Sequence, residues 1–175
     1  MKRLFLVLAT VFISGCSSEF AAYLAKPDPL SPGTITRFSS AIAIKGIDFM
    51  DPSHSSFSFY RSSTGSDTSW WIMTSYTGED WLFVKKLSFM IDGKRYDLDN
   101  DGRPARSVGS GSVFEVNSFP LPDSLRDAFL RARSAFVRLS GDNYFNERTL
   151  DKTDIANIKW FFNYLSSLRH RAVGS

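Results

Sequence analysis

The sequence predicts an α+β protein, a mainly antiparallel β-sandwich or sheet with one internal helix and a C-terminal amphipathic helix. Three observations carry that expectation. Runs with period-two alternation crowd the early chain, turn signals as tight as Asp92-Gly93 separate them, and helical periodicity arrives only late. Tight turns favour antiparallel neighbours, because parallel ones need a long crossover.

Residues 41–50 are isoleucine-rich and bounded by Ser39-Ser40 and Asp51-Pro52, so they read as a first strand. Residues 57–61 alternate and read as a second, and 62–69 as a polar loop around Gly65. In 70–76, Trp70, Ile72, Thr74 and Tyr76 share one face while Trp71, Met73 and Ser75 share the other. Thr77-Gly78-Glu79-Asp80 has the chemistry of a turn. Residues 81–91 read as a long strand whose apolar phase is mixed, which implies a bulge near Lys85-Lys86 or a strand serving two layers. Asp92-Gly93 then predicts a hairpin pairing 87–91 with 94–98.

Residues 99–112 are polar and glycine-rich and read as a surface loop; 113–119 is a strand stopped by Pro120 and Pro122. Ser124 with Asp127 fits a capping box, ahead of a helix that presents Leu125, Ala128, Phe129 and Ala132 on one face. Residues 135–139 return as a strand. The last element, about 153–168, places Ile155, Ile158, Phe161, Phe162, Leu165 and Leu168 toward the body, and Arg169-His170-Arg171 suits the negative end of its dipole.

Ahead of this body, Lys2 and Arg3 make a positive start, residues 4–13 an apolar run too short to span a bilayer comfortably, and Ser14-Gly15 a small-residue cleavage site. Ile13-Ser14-Gly15-Cys16 resembles the lipobox of bacterial lipoproteins. The resemblance implies removal of residues 1–15, acylation of Cys16, and a domain held in the membrane by fatty chains. Ser17, where an aspartate would argue for inner-membrane retention, is similar to the pattern sorted to the outer membrane. Several acyl chains make a stable anchor where one alone is marginal. Residues 16–40, with Pro27, Pro29, Pro32 and Gly33, then read as lipidated cysteine and tether, with Phe20, Tyr23 and Leu24 at the spacing of a short helix; 41–175 reads as a single globular domain.

Net charge is +3 for the whole chain; less Lys2 and Arg3 it is +1, which gives no support to a nucleic-acid role. Cys16 is the sole cysteine, so its acylation leaves no thiol for a disulfide, a thiolate metal site or a nucleophile. The expected role is a non-enzymatic binding or assembly accessory, anchored in the outer membrane, facing the periplasm and meeting an envelope protein.

Two rival roles rest on specific residues. Asp97, Asp99 and Asp101, closed by Gly102, alternate as calcium-loop carboxylates do, although Val108 stands where a bidentate glutamate would complete an EF-hand. The tryptophans and Tyr76 could form a platform for sugar rings, and together these suggest a calcium-stabilised carbohydrate-binding module. Of the adjacent pair Trp70 and Trp71, at least one should face away from the main core and serve a partner. Glu79, Asp80 and Glu115, or His54 among serines, are the groups an envelope hydrolase acting on glycan or peptide would use. The six arginines Arg131, Arg133, Arg138, Arg148, Arg169 and Arg171 give the C-terminal half a basic bias that could meet anionic head groups, though such residues are more often the solvated faces of helices.

Overall fold

The computed structural model describes residues 20–26, 28–46, 51–100 and 104–172, with the side chains from 169 onward excepted. The lipobox and Cys16 lie outside the described residues. The chain runs β1 (Ala22–Leu24), β2 (Thr34–Ser39), β3 (Ile42–Lys45), β4 (His54–Thr64), β5 (Asp67–Gly78), β6 (Lys86–Ile91), β7 (Lys94–Asp99), β8 (Ala105–Gly109), β9 (Ser112–Pro120), α1 (Asp123–Arg131), β10 (Ala135–Ser140), β11 (Phe145–Leu150) and α2 (Lys152–Ala172). The fold is α+β, with antiparallel strands in two sheets.

The larger sheet has the order β1-β2-β4-β5-β9-β8, with β3 also paired to β4; the smaller has the order β11-β10-β6-β7. They meet face to face through Phe57 of β4 and Phe89 of β6, whose ring centroids are 5.6 Å apart. One repeat along β4, Phe59 leaves the smaller sheet and packs instead on Phe129 of α1 and Phe162 of α2, at 5.5 and 4.9 Å. The inner face of the larger sheet is thus covered partly by strands and partly by helices. Alternation explains why: Phe57 and Phe59 project to the same side, as do Trp70, Ile72, Thr74 and Tyr76 of the paired β5.

The Asp92-Gly93 hairpin forms as expected, both residues having positive φ (46° and 84°), the geometry of a tight two-residue turn. Asp92 does more than turn the chain. Its carboxylate accepts the backbone N–H groups of Ser134 (2.8 Å) and Arg133 (3.1 Å) and the Ser134 hydroxyl (3.1 Å), tying the hairpin to the start of β10. The Ser134 backbone bond, foremost, holds its carboxyl below the usual range. Because the folded pKa is depressed, this stabilisation is present above the unfolded pKa of about 4 and is lost as pH falls through the folded value. Thermal melts from neutral to acid pH should therefore show a smaller acid-limb loss in Asp92→Asn than in the parent; superimposable difference curves would contradict this.

Several expectations are corrected. Residues 22–24, read as part of a short helix in the tether, and 34–39, read as tether, are strands, and Pro32-Gly33 with φ of +83° at the glycine leads into β2. The 62–69 loop shrinks to the tight turn at Gly65, because β4 and β5 stay paired as far as Thr64 and Asp67. The supposed loop at 99–112 contains β8, turned into β9 at Ser110-Gly111, both with positive φ. The long strand at 81–91 begins only at Lys86; residues 81–85 cross from the larger sheet to the smaller, with Leu82 and Val84 buried and Phe83 at φ 51°. The mixed phase therefore marks a change of layer.

No side chain caps α1, whose N-cap is Pro122, so the Ser124–Asp127 box is absent. A reciprocal box stands at α2 instead. There the Asp154 N–H donates to Asp151 Oδ1 (2.8 Å) and the Asp151 N–H to Asp154 Oδ2 (3.1 Å).

Candidate functional site

Cross-strand register builds a transverse aromatic row on the outer face of the larger sheet. Tyr23 of β1 stands opposite Phe38 of β2, Phe38 opposite Tyr60 of β4, Tyr60 opposite Trp71 of β5, and Trp71 opposite Pro120 of β9. The Phe38 and Tyr60 rings are 5.1 Å apart; Tyr60 and Trp71 are 6.2 Å apart with planes within 9°. Their sequence neighbours Phe59, Arg61, Ile72 and Phe119 are buried, which fixes the row on the outward side of the pleat. Thr36, Ser62 and Ser69 border it along one side, and Ser58, Met73 and Ser118 along the other. The band is uncharged. It offers ring faces for apolar contact and hydroxyls for orienting hydrogen bonds, the composition of a contact surface.

Trp70 and Trp71 part company here. Trp70 is half-buried against the core, packed edge-on on Phe161 and Phe162 and flanked by the Arg61 and Arg126 guanidinium groups at 5.7 and 5.4 Å. Trp71 lies in the outward row.

A concave region of about 300 Å³ lies elsewhere, lined by residues that include Asp51, Ser53, Tyr76, Glu79, Asp80 and Tyr144. The Tyr76 and Tyr144 hydroxyls are 2.9 Å apart and both lie 3.0 Å from the Asp80 carbonyl oxygen, so the two protons are shared among one phenol–phenol contact and the carbonyl. Burial, with the Tyr144 hydrogen bond next, pushes the Tyr76 phenol up, so it remains a protonated donor. Beneath it, a Cβ on Gly78 would stand 2.1 Å from the Tyr76 oxygen, so only glycine leaves room for the pair. Lys45 Nζ donates to Ser53 Oγ at 2.7 Å, which invites comparison with a serine–lysine nucleophile. Lys45 is also ion-paired to Asp51, whose carboxyl its hydrogen bond, foremost, holds at about 2. The Lys45 Nζ donates to both Ser53 Oγ and Asp51 and accepts nothing from the serine, so the geometry does not set it up as the base of a nucleophilic Ser53.

Of the carboxylates named from the sequence, Glu79 and Asp80 line that concave region together with Asp51, and Glu115 does not join them. Glu79 and Asp80 are exposed on the turn after β5, whereas Glu115 of β9 is fully buried and accepts the backbone N–H groups of Phe83 (2.7 Å) and Val84 (3.3 Å) and the Nε of Arg106 (3.3 Å). It holds the crossing segment in place. His54 Nδ1 lies 3.3 Å from the Pro52 carbonyl oxygen.

Asp97 and Asp99 stand on the edge strand β7. Asp97 Oδ1 accepts from Ser88 Oγ (2.6 Å) and Arg95 Nε (2.9 Å), while Asp99 is 3.8 Å from Lys86 Nζ; Asp101 lies outside the described residues. The Ser88 hydrogen bond, foremost, lowers the Asp97 carboxyl below the usual range. Among the described residues, no group of three or more His, Cys, Asp or Glu side chains is arranged to hold a metal ion.

Sequence reasoning singled out Trp71 but not Tyr23, Phe38 or Tyr60 as its neighbours, nor the Tyr76–Tyr144 and Lys45–Ser53 pairs. Alternation signals a face; only register reveals a row. Comparison with protein-family models, with curated proteins and with solved structures returns no match.

Proposed function

We propose that this chain is an outer-membrane lipoprotein, held through acylated Cys16 with its domain toward the periplasm, and that it acts as a non-enzymatic binding or assembly accessory in the cell envelope. The anchor rests on the lipobox resemblance of Ile13-Ser14-Gly15-Cys16. The mode of action rests on one observation, the outward row of Tyr23, Phe38, Tyr60 and Trp71 in an uncharged band of the larger sheet. The commitment of Glu115 to the backbone N–H groups of Phe83 and Val84, and of the Lys45 Nζ to Asp51, weighs against a hydrolase.

A photo-crosslinking amino acid at Ser69, two residues from Trp71 on the same face, tests the reading in cells. The expected result is a discrete adduct with an envelope protein, diminished by Trp71→Ala and by Cys16→Ala, which removes the anchor. If the Ser69 probe yields no adduct beyond that of a probe at the exposed Lys94, the reading fails.

A further inference from the structure

We propose that the outward face of α2, centred on Trp160 and Tyr164, rests on the lipid surface that holds Cys16, an inference that depends on the lipoprotein reading above. Three features lead there. The first is where the anchor arm docks. Phe20 packs edge-on against Trp160 with centroids 6.1 Å apart, and the next residue is fixed by hydrogen bonds from its N–H to Ser40 Oγ and from the Ser40 N–H to its carbonyl, both 2.9 Å. Only three residues separate Phe20 from Cys16, and the four steps from one Cα to the next span at most about 14 Å however extended they are. A lipid on Cys16 must therefore enter its membrane within that distance of Phe20, beside Trp160.

The second feature is the chemistry of the face. Between 156 and 167 the exposed positions of α2 are Ala156, Trp160, Asn163, Tyr164, Ser166 and Ser167, none of them charged. Lys159, the lysine of that stretch, is turned aside to donate to the Ala132 carbonyl at 2.7 Å. Trp160 and Tyr164 are 44% and 40% exposed and stack within 3° at 5.2 Å, although outward positions of a helix in water are usually charged or small. Indole and phenol rings concentrate at the head-group level of bilayers, where an apolar body and a polar tip are both satisfied. Among the described residues no helix is long and apolar enough to cross a membrane, so the contact is one of lying on the surface.

The third feature is consistency with the aromatic row. α2 packs through Phe162 on Phe59 and Trp70, on the inner side of the larger sheet, while Trp71 lies on the other side. With α2 against lipid, the row is turned away from the membrane and toward partners.

The experiment uses the full lipidated protein in phosphatidylethanolamine–phosphatidylglycerol vesicles. Because Cys16 is the sole cysteine and its sulfur would be acylated, Asn163→Cys and Ser69→Cys each supply a unique thiol for an environment-sensitive fluorophore. Head-group nitroxide lipids should quench the dye at 163 several-fold more than the dye at 69, and Trp160→Ser should reduce that difference. Equal quenching at the two positions in protein whose Cys16 carries lipid by mass analysis overturns the docking and leaves the anchor intact. A bare Cys16 sulfur overturns the anchor reading and this proposal with it.

Discussion

Replacing Gly141 by alanine is expected to be among the most damaging single-methyl changes in this domain. An added Cβ would stand 1.8 Å from the Leu82 carbonyl oxygen and 2.7 Å from its carbon, so backbone has to move. The turn that contains Gly141 grips the segment crossing between the sheets: the Asp142 N–H donates to the Leu82 carbonyl (3.1 Å) and the Lys85 N–H to the Ser140 carbonyl (2.9 Å). Pushing Leu82 away strains that grip and dislodges a fully buried side chain. Overpacking of this kind with a lost hydrogen bond costs about 3–4 kcal/mol, a fall in melting temperature of roughly 10 °C for a domain of this size. Gly109→Ala, with nothing within 4 Å of its Cβ, is the matched control and should change stability by no more than about 0.5 kcal/mol. Equal melting temperatures for the two variants would contradict the account.

Truncating Glu115 to alanine should weaken the same crossing from the other side. Its carboxylate is the acceptor for the N–H groups of Phe83 and Val84, in a stretch where Phe83 has positive φ and ordinary ladder partners are lost. The truncation leaves the buried Val84 donor without this acceptor and strips Arg106 of its ion pair. Hydrogen bonds to charged groups and the desolvation of orphaned donors together put the loss at about 2–4 kcal/mol. Glu115→Gln keeps an acceptor oxygen without the charge and should fall between parent and alanine variant. Urea unfolding followed by tryptophan fluorescence measures both. If Glu115→Ala unfolds at the same midpoint as the parent, the carboxylate does not hold the crossing.

The contrast between legible and illegible parts of the chain has a physical cause. The faces of β5, the Asp92-Gly93 hairpin and the buried stripe of α2 follow from apolar periodicity and turn stereochemistry, which are local properties. β11 was invisible because its inward positions are Asn146 and Arg148 as well as Leu150. Asn146 donates to Ser55 Oγ (3.0 Å) and Arg148 pairs with Asp154, so the strand fills an interior with polar groups whose partners are distant in sequence. β8 is exposed at every residue and carries no alternation to detect. β1 and β2 sit among prolines and are ordered by pairing along the edge of β4. At the candidate site, Glu115 did leave a trace: it shares the parity of Val113, Asn117 and Phe119, so its inward placement was readable even though its backbone partners were not.

Because β2 runs along residues 60–64 of β4, trimming the chain back to Ala41 would remove more than an attachment arm. It would strip two strands and bare the amide and carbonyl groups of that stretch beside Tyr60 and Trp71, creating an open, aromatic-flanked margin able to recruit a strand from another copy. A shortened product of this sort would tend to self-associate, so the arm doubles as a guard on the sheet.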